Sequence, residues 1–326
     1  MEITYIPPRA SGGQGSTPRI RPLADDFFIH SRWASTLTTL TLNNIRCSTP
    51  SAPLTFLSEH YALEVLHLDI SLHIGSFSGA RRLPRGSLPN LREIKSSKEV
   101  INAILECPCD VSRPLRVLKG FKLSGQVTNH SRSVLDAIFL SNLKLEASAV
   151  HRVELSGWHD MEDIRKLVPS IPNVQCLSLG KKIGAMTQRI SDKSAGGSSG
   201  PSANITEWID LLSILPNLST LQGVKFFYEV PTVPAEPHSN GSNISKSQFV
   251  VSHPAQMSMM ERSRMRKNDE IAGVLAWKCG KLRWVDHWEE GSGKVIHLVR
   301  DHAESPGGDD KDTKVRWEIK RLKGRD

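Results

Sequence analysis

The sequence predicts an α/β solenoid in which short strands and helices alternate, and three observations predict it. Apolar residues return at fixed offsets in a series of short segments. Stretches with helical periodicity separate those segments. A Pro-Asn pair marks the passage from helix to strand at three places.

The first segment places Leu37, Leu40 and Leu42 in an L-x-x-L-x-L spacing. The same offsets return at Leu63, Leu66 and Leu68, at Leu115 and Leu118, at Val150, Val153 and Leu155, at Val174, Leu177 and Leu179, at Leu218 and Leu221, and at Leu282 and Val285. This is the spacing of a leucine-rich repeat, in which a strand and a helix or turn make one unit. Its second apolar position yields the markers Leu40, Leu66, Ile94, Leu118, Val153, Leu177, Leu221 and Val285. The short gaps between markers fall inside the roughly 20–29-residue period of such repeats, and the long gaps call for inserts. The repeat is irregular: Ile45 stands where a strict repeat has asparagine, just after Asn43 and Asn44.

Helices are expected between the strands. Val100, Ile101, Ile104 and Leu105 share one helical face, as do Val134, Leu135, Ile138 and Phe139, then Ile164, Leu167 and Val168, then Trp208, Ile209, Leu212 and Leu215. These are the i, i+3, i+4 recurrences of a buried stripe. Asp160 and Asn268 are read as N-caps, since their side-chain oxygens can accept the free amides of a first turn. The Pro-Asn pairs follow Leu88, Ile171 and Leu215. Proline disfavours helical geometry in the residue before it and asparagine favours a turn, so each pair ends a helix and starts a strand.

Residues 1–30 are rich in Pro, Gly, Ser and Arg and read as a disordered lead-in, too poor in apolar surface to offset its ordering entropy. A leucine-rich-repeat-like domain follows over 31–326, with flexible inserts near 184–203 and 231–267, both of linker-like composition. Residues 294–299 and 315–319 alternate as two strands of a C-terminal β-hairpin, which would cap the last hydrophobic face of the stack. The expected shape is a curved horseshoe with strands concave and helices convex.

The bulk numbers exclude several classes. The chain has 326 residues, 38% of them hydrophobic, a net charge of +8 and a pI near 9.3. Such values suit a packed repeat protein with polar inserts, and the charge speaks to solubility and non-specific attraction rather than fold. Five cysteines without regular spacing define no disulfide framework, and a reducing compartment is expected. The start lacks the basic and apolar regions of a signal peptide, and no stretch approaches the roughly 20 apolar residues of a membrane span. An intracellular location, cytoplasmic or nuclear, is therefore expected.

No residue constellation calls for catalysis. Cys107 and Cys109 offer two thiols where a zinc site needs about four ligands. His159, Asp160, His287, His297 and His302 are not accompanied by a metal-hydrolase, nucleophile-elbow or phosphate-loop motif. No catalytic, cofactor-binding or metal-binding residue is assigned, and no enzyme or cofactor is expected. Two basic clusters, Arg262, Arg264, Arg266 and Lys267, and Lys320, Arg321, Lys323 and Arg325, leave nucleic-acid binding as the alternative function. They lack interleaved aromatics on a known platform and read as solvated charge.

The residues flanking each marker are the ones a repeat strand would display. That set is Thr39, Thr41, His67, Asp69, Glu93, Lys95, Arg152, Glu154, Trp284 and Asp286, expected on the concave face as contacts for a protein partner. The segment from Trp284 to Glu290 is the densest aromatic and acidic patch, with Trp284, Asp286 and Trp288 on one side if the strand runs through it. Exposed tryptophan beside charge is how an interface hot spot is composed. The competing expectation packs both tryptophans under the terminal hairpin.

These strands, the LPNLREI turn from Leu88 followed by SKEVINA, and the ending CGKLRWVDHW from Cys279 resemble fungal F-box/leucine-rich-repeat (RNI-like) proteins. The resemblance implies a repeat surface that holds a substrate for ubiquitination and an N-terminal F-box that docks a Skp1-type adaptor. Ahead of Trp33 the apolar stretch from Leu23 to Ile29 is too short for an F-box. The substrate-recognition half is expected and the adaptor is not.

Overall fold

The computed structural model describes residues 1–4, 21–31, 33, 35–49, 51–71, 83–109, 112–123, 130–183, 204–234, 248–251, 255, 257–289, 291–301 and 314–321. The chain divides into two compact units, Met1–Ile171 and Pro172–Asp326. The division falls within the second Pro-Asn turn.

In the first unit the strands Glu2–Thr4 (β1), Thr39–Arg46 (β2), Val65–Ser71 (β3), Glu93–Lys95 (β4), Val117–Lys122 (β5) and Arg152–Trp158 (β6) pair in chain order, all parallel. Parallel neighbours need a crossover, and helices supply most of them: Ser51–Glu59 (α2), Lys98–Leu105 (α3) and His130–Glu146 (α4), with Asp25–His30 (α1) ahead of β2 and Met161–Leu167 (α5) after β6. The markers stand opposite one another across this sheet, Leu40 to Leu66 to Ile94 to Leu118 to Val153. All are essentially inaccessible to solvent, as are Leu63, Leu91, Leu115 and Val150 three positions earlier. Strand entry repeats too. The Thr38 carbonyl accepts from the amides of Glu64 and Val65, Glu64 from Arg92 and Glu93, Arg92 from Arg116 and Val117, and Arg116 from His151 and Arg152.

Two irregularities keep the pattern in phase. Asn44 adopts φ 61° at a shift in the β2/β3 register, which returns Ile45 to the interior at 4% exposure. Asparagine tolerates the left-handed region better than most residues. Gly120 does the same in β5 at φ 86°, where a Cβ would lie 3.3 Å from Lys95 Cγ and 3.4 Å from the Ser96 carbonyl.

Parts of the expected lead-in are structured. β1 pairs with β2 over Thr41 to Asn43. In α1 the buried Phe28 meets Phe56 of α2 at 5.3 Å, edge to face, and the Asp25 carboxylate accepts from the Ser48 and Thr49 amides. Composition averages over these short apolar pieces and hides them; residues 5–20 lie outside the described residues. The helix α4 also departs from the expectation. Phe139 and Leu143 face the interior, whereas Val134, Leu135 and Ile138 are 56%, 40% and 40% exposed. The buried face of α4 is rotated from the predicted one. The α3 and α5 stripes are buried as expected, and the Asp160 side chain accepts from the Asp163 amide as an N-cap.

In the second unit, Cys176–Ser178 (β7), Thr220–Gln222 (β9) and Trp284–Asp286 (β12) are parallel, in the order β7, β9, β12, with Lys181–Lys182 as the short β8. Here too the markers align, Leu177 with Leu221 and Leu221 with Val285. The direction then reverses. Lys294–Asp301 (β13) runs antiparallel to β12 and to Lys314–Arg321 (β14), forming the expected hairpin. Gln248–Val251 (β11) and Thr232–Pro234 (β10) continue beyond β14. Ile205–Leu212 (α6) buries Trp208, Ile209, Leu211 and Leu212. Both strands of the β10/β11 pair lie within the stretch expected as a flexible insert near 231–267.

The last helix, Met259–Lys278 (α7), also starts inside that stretch. Its N-cap is Ser258, in a reciprocal capping box with Glu261, so Asn268 is not a cap. Asn268 is buried in mid-helix, where Oδ1 accepts from the Tyr228 amide and Nδ2 donates to the Tyr228 carbonyl. Arg300 of β13 closes the other end of α7, donating to the carbonyls of Ala276, Cys279 and Leu282. A cation there also opposes the negative end of the helix dipole.

Candidate interaction surface

Side chains alternate across a strand, so a sheet whose marker face is buried presents the flanking residues on its other face. In the first unit this open face carries Thr39 and Thr41 from β2, His67 and Asp69 from β3, Glu93 and Lys95 from β4, and Arg152 and Glu154 from β6, all exposed or half-buried. Register brings seven of these eight predicted positions, all but Asp69, into two rows. Thr39, Val65, Glu93, Val117 and Arg152 form one, and Thr41, His67, Lys95, Lys119 and Glu154 the other.

Their charges are organised around Glu93. Its Oε1 accepts from Lys119 Nζ and His67 Nε2, each at 2.8 Å. Burial alone would raise the Glu93 pKa, but these hydrogen bonds, reinforced by the charges behind them, hold it below the usual carboxylate range. Asp69 pairs with Arg21 at 3.1 Å, and Glu154 with Arg152 on its own strand. Lys119 was not among the predicted contacts. Its offset from Leu118 equals that of Lys95 from Ile94, and this was the signal that identifies it.

The remaining predicted positions, Trp284 and Asp286, belong to the open face of the second unit. Trp284 is half-buried and stacks on His297 of β13 with centroids 4.1 Å apart. Lys320 of β14 donates to His297 Nδ1 at 3.0 Å and stands 5.8 Å from the Trp284 ring centre. Burial pushes the His297 pKa down, and the Lys320 charge adds to it. Asp286 Oδ2 accepts from the Gly223 amide at 2.5 Å. Gly223 has φ 91° and passes so close to Leu179 and Gly180 that a Cβ would lie 3.0 Å from Leu179 Cβ.

Trp288 does not share the face of Trp284. The strand ends at Asp286, and Trp288 turns to meet Trp317 edge to face at 6.3 Å. Trp317 lies on the helix side, where its indole donates to Asp269 of α7. One tryptophan thus packs by the hairpin and the other stands on the open face. His287 is buried at 3% exposure, and its Nδ1 accepts from the Glu289 amide. Desolvation, with Lys294 second, brings its pKa down to about 4, so the ring is a neutral structural group.

The other candidates disperse. Cys107 donates its thiol proton to the Pro84 carbonyl and is buried, while burial raises the Cys109 pKa despite the nearby Arg113. Arg113 ties this turn together through the Ser87 and Cys107 carbonyls. His159 borders the Asp160 cap, and its amide donates to Asp163. Arg264 donates to the Glu229 carbonyl and Lys267 lies over Tyr228, so part of the first basic cluster packs along α7. His302, Lys323 and Arg325 lie outside the described residues. Among the described residues no group of three or more His, Cys, Asp or Glu is arranged to hold a metal ion. Among the same residues no helix is long and apolar enough to cross a membrane. In comparisons with known proteins, no family profile matches the chain and no characterised protein matches it in sequence.

Proposed function

We propose that the chain is a non-catalytic protein-interaction module built on an irregular leucine-rich-repeat array. Its open strand faces would act as the recognition surface, as in F-box/leucine-rich-repeat substrate-recognition subunits. The observation that carries this reading is the lateral alignment of the apolar markers within each unit. That alignment buries one residue per strand and displays its neighbours in rows, which is how repeat arrays make extended binding surfaces. The half-buried Trp284 beside Asp286, His297 and Lys320 supports the same reading, because an aromatic held by polar neighbours is the usual composition of an interface anchor. The carboxylates of Asp69, Glu93 and Glu154 on the first unit's face weigh against the nucleic-acid alternative, since each would repel a phosphate backbone.

A photo-crosslinking amino acid at Thr41, on the open face, and one at Lys166, on α5, test the proposal in living cells. Adducts to the same protein from Thr41 and none from Lys166 support it; equal adducts from both positions, or none from Thr41, overturn it. The Trp284→Ala/Asp286→Ala pair should lower recovery of that protein if the second unit's face takes part. Co-purification of a Skp1-type adaptor would mark a complete ligase subunit, and none is expected.

A further inference from the structure

The charges on the first unit's open face do not cancel evenly, and the imbalance has a location. On β2 to β6 each acid already holds a base: Asp69 holds Arg21, Glu93 holds both His67 and Lys119, and Glu154 holds Arg152. Lys95 of β4 and Lys122 of β5 are exposed on the same face and make no ion pair among the described residues. They occupy adjacent strands in the interior of the sheet rather than its edges.

We propose that this central part of the face takes an acidic polypeptide segment, its carboxylates meeting Lys95 and Lys122. The proposal rests on the interaction-face reading above and names the chemistry of the partner. An incoming carboxylate meets two ammonium groups whose pairing breaks no internal contact, whereas at Glu93 or Glu154 it would have to displace an existing partner. The geometry suits a peptide. Lys95 lies opposite Lys119, and Lys122 is three residues further along β5, so the two lysines stand about 10 Å apart. Carboxylates two or four residues apart on an extended segment share a face and span roughly 7 to 13 Å, which brackets that distance. In the row that precedes Lys95, on the side away from Lys122, the half-buried Val65 and Val117 offer an apolar floor that a polypeptide can use and a phosphate backbone cannot. Gly120 contributes by leaving room for the Lys95 stem, which passes within 3.3 Å of where a Cβ would stand.

The test uses the purified full chain and three fluorescent probes: a glutamate-rich peptide, its glutamine counterpart, and an oligothymidylate of equal charge. Fluorescence anisotropy should show the glutamate peptide bound most tightly, with affinity falling as salt is raised, because exposed pairs are screened. The Lys95→Glu/Lys122→Glu variant should bind it roughly tenfold more weakly, since each reversal removes one exposed attraction and adds a repulsion of similar size. Arg266→Glu/Lys267→Glu on α7, a helix of the second unit, should leave the affinity within about twofold. If the charge-reversed chain does not fold, Lys95→Gln/Lys122→Gln carries the same test with a smaller loss. Equal binding by the parent and the lysine variants overturns the proposal, as does equal binding of the glutamine peptide. Preferential binding of the oligothymidylate that is lost with the two lysines overturns it in favour of nucleic acid. Crosslinks from Thr41 separate the two readings: adducts that persist while the lysines prove indifferent leave the interaction face standing and remove only its acidic partner.

Discussion

Replacing Leu118 by alanine tests whether the marker ladder is the mechanical centre of the first unit. Leu118 is wholly buried and stands in register between Ile94 and Val153, themselves 1% and 0% exposed. Removing most of a buried leucine side chain forfeits about 1.5–3 kcal/mol of transfer free energy. The cavity adds to this, and measured Leu→Ala costs run to roughly 2–5 kcal/mol. Both neighbouring strands are pinned by the repeated carbonyl pattern at their starts, so collapse around the cavity is restricted and a loss of about 3–4 kcal/mol is expected. With a urea dependence of about 1–3 kcal/mol per molar, the midpoint should fall by about 1–4 M. Hydrogen exchange resolved by peptide localises the loss, which should appear in β4, β5 and β6. Val134→Ala on α4 is the control: Val134 is 56% exposed, and its loss should stay within about 0.5 kcal/mol. A Leu118→Ala chain that unfolds and exchanges like the parent, or a Val134→Ala chain that loses as much, would refute the assignment of the core.

Two pH profiles follow from the same structure. Glu93 has a depressed pKa, so its stabilising contribution is complete above the ordinary value of 4.5 and is lost as pH falls through the folded value. Glu93→Gln should therefore flatten the acid limb of the stability curve below pH 4.5, and an unchanged limb would show that the His67 and Lys119 contacts do not stabilise the face. His287 titrates at about 4 when folded against an ordinary 6.5, so the unfolded chain takes up its proton first. Its contribution is complete above pH 6.5 and declines as pH falls toward 4; an NMR titration that places the imidazole near 6.5 in the folded chain would dismiss this.

The readable part of the fold was the part with a period. Leu40, Leu66, Ile94, Leu118 and Val153 were identifiable because one buried position per strand must recur for the strands to stack, and structure aligns all five. The Asp160 cap and the terminal hairpin were readable for a similar reason, each depending on neighbours in sequence. What escaped depends on partners distant in sequence. The helix α4 carries two apolar stripes, one through Val134 and Ile138 and one through Phe139 and Leu143, and only packing chooses between them. In the structure Phe121 meets Phe139 at 5.2 Å, which selects the second stripe. α1 is too short for periodicity to register, and its burial rests on Phe56, well downstream. Asn268 looked like a cap because asparagine favours helix starts, yet its buried amide serves the backbone of Tyr228.

The candidate surface divides along the same line. Which residues the strands display follows from offset alone, since a residue next to a buried marker must emerge on the other face, and Lys119 is legible beside Lys95 on that ground. What those residues do to one another is set by register across strands. Glu93 lies one strand from His67 and one from Lys119, and this juxtaposition turns three scattered charges into one network. Trp284 acquires its stacking partner only because β13 reverses direction and brings His297 opposite it. On the proposed reading, the chemistry offered to a partner resides in the pairings left incomplete. Among the described residues of β4 and β5 these include Lys95 and Lys122, which no count of charges along the chain could have distinguished from their neutralised neighbours.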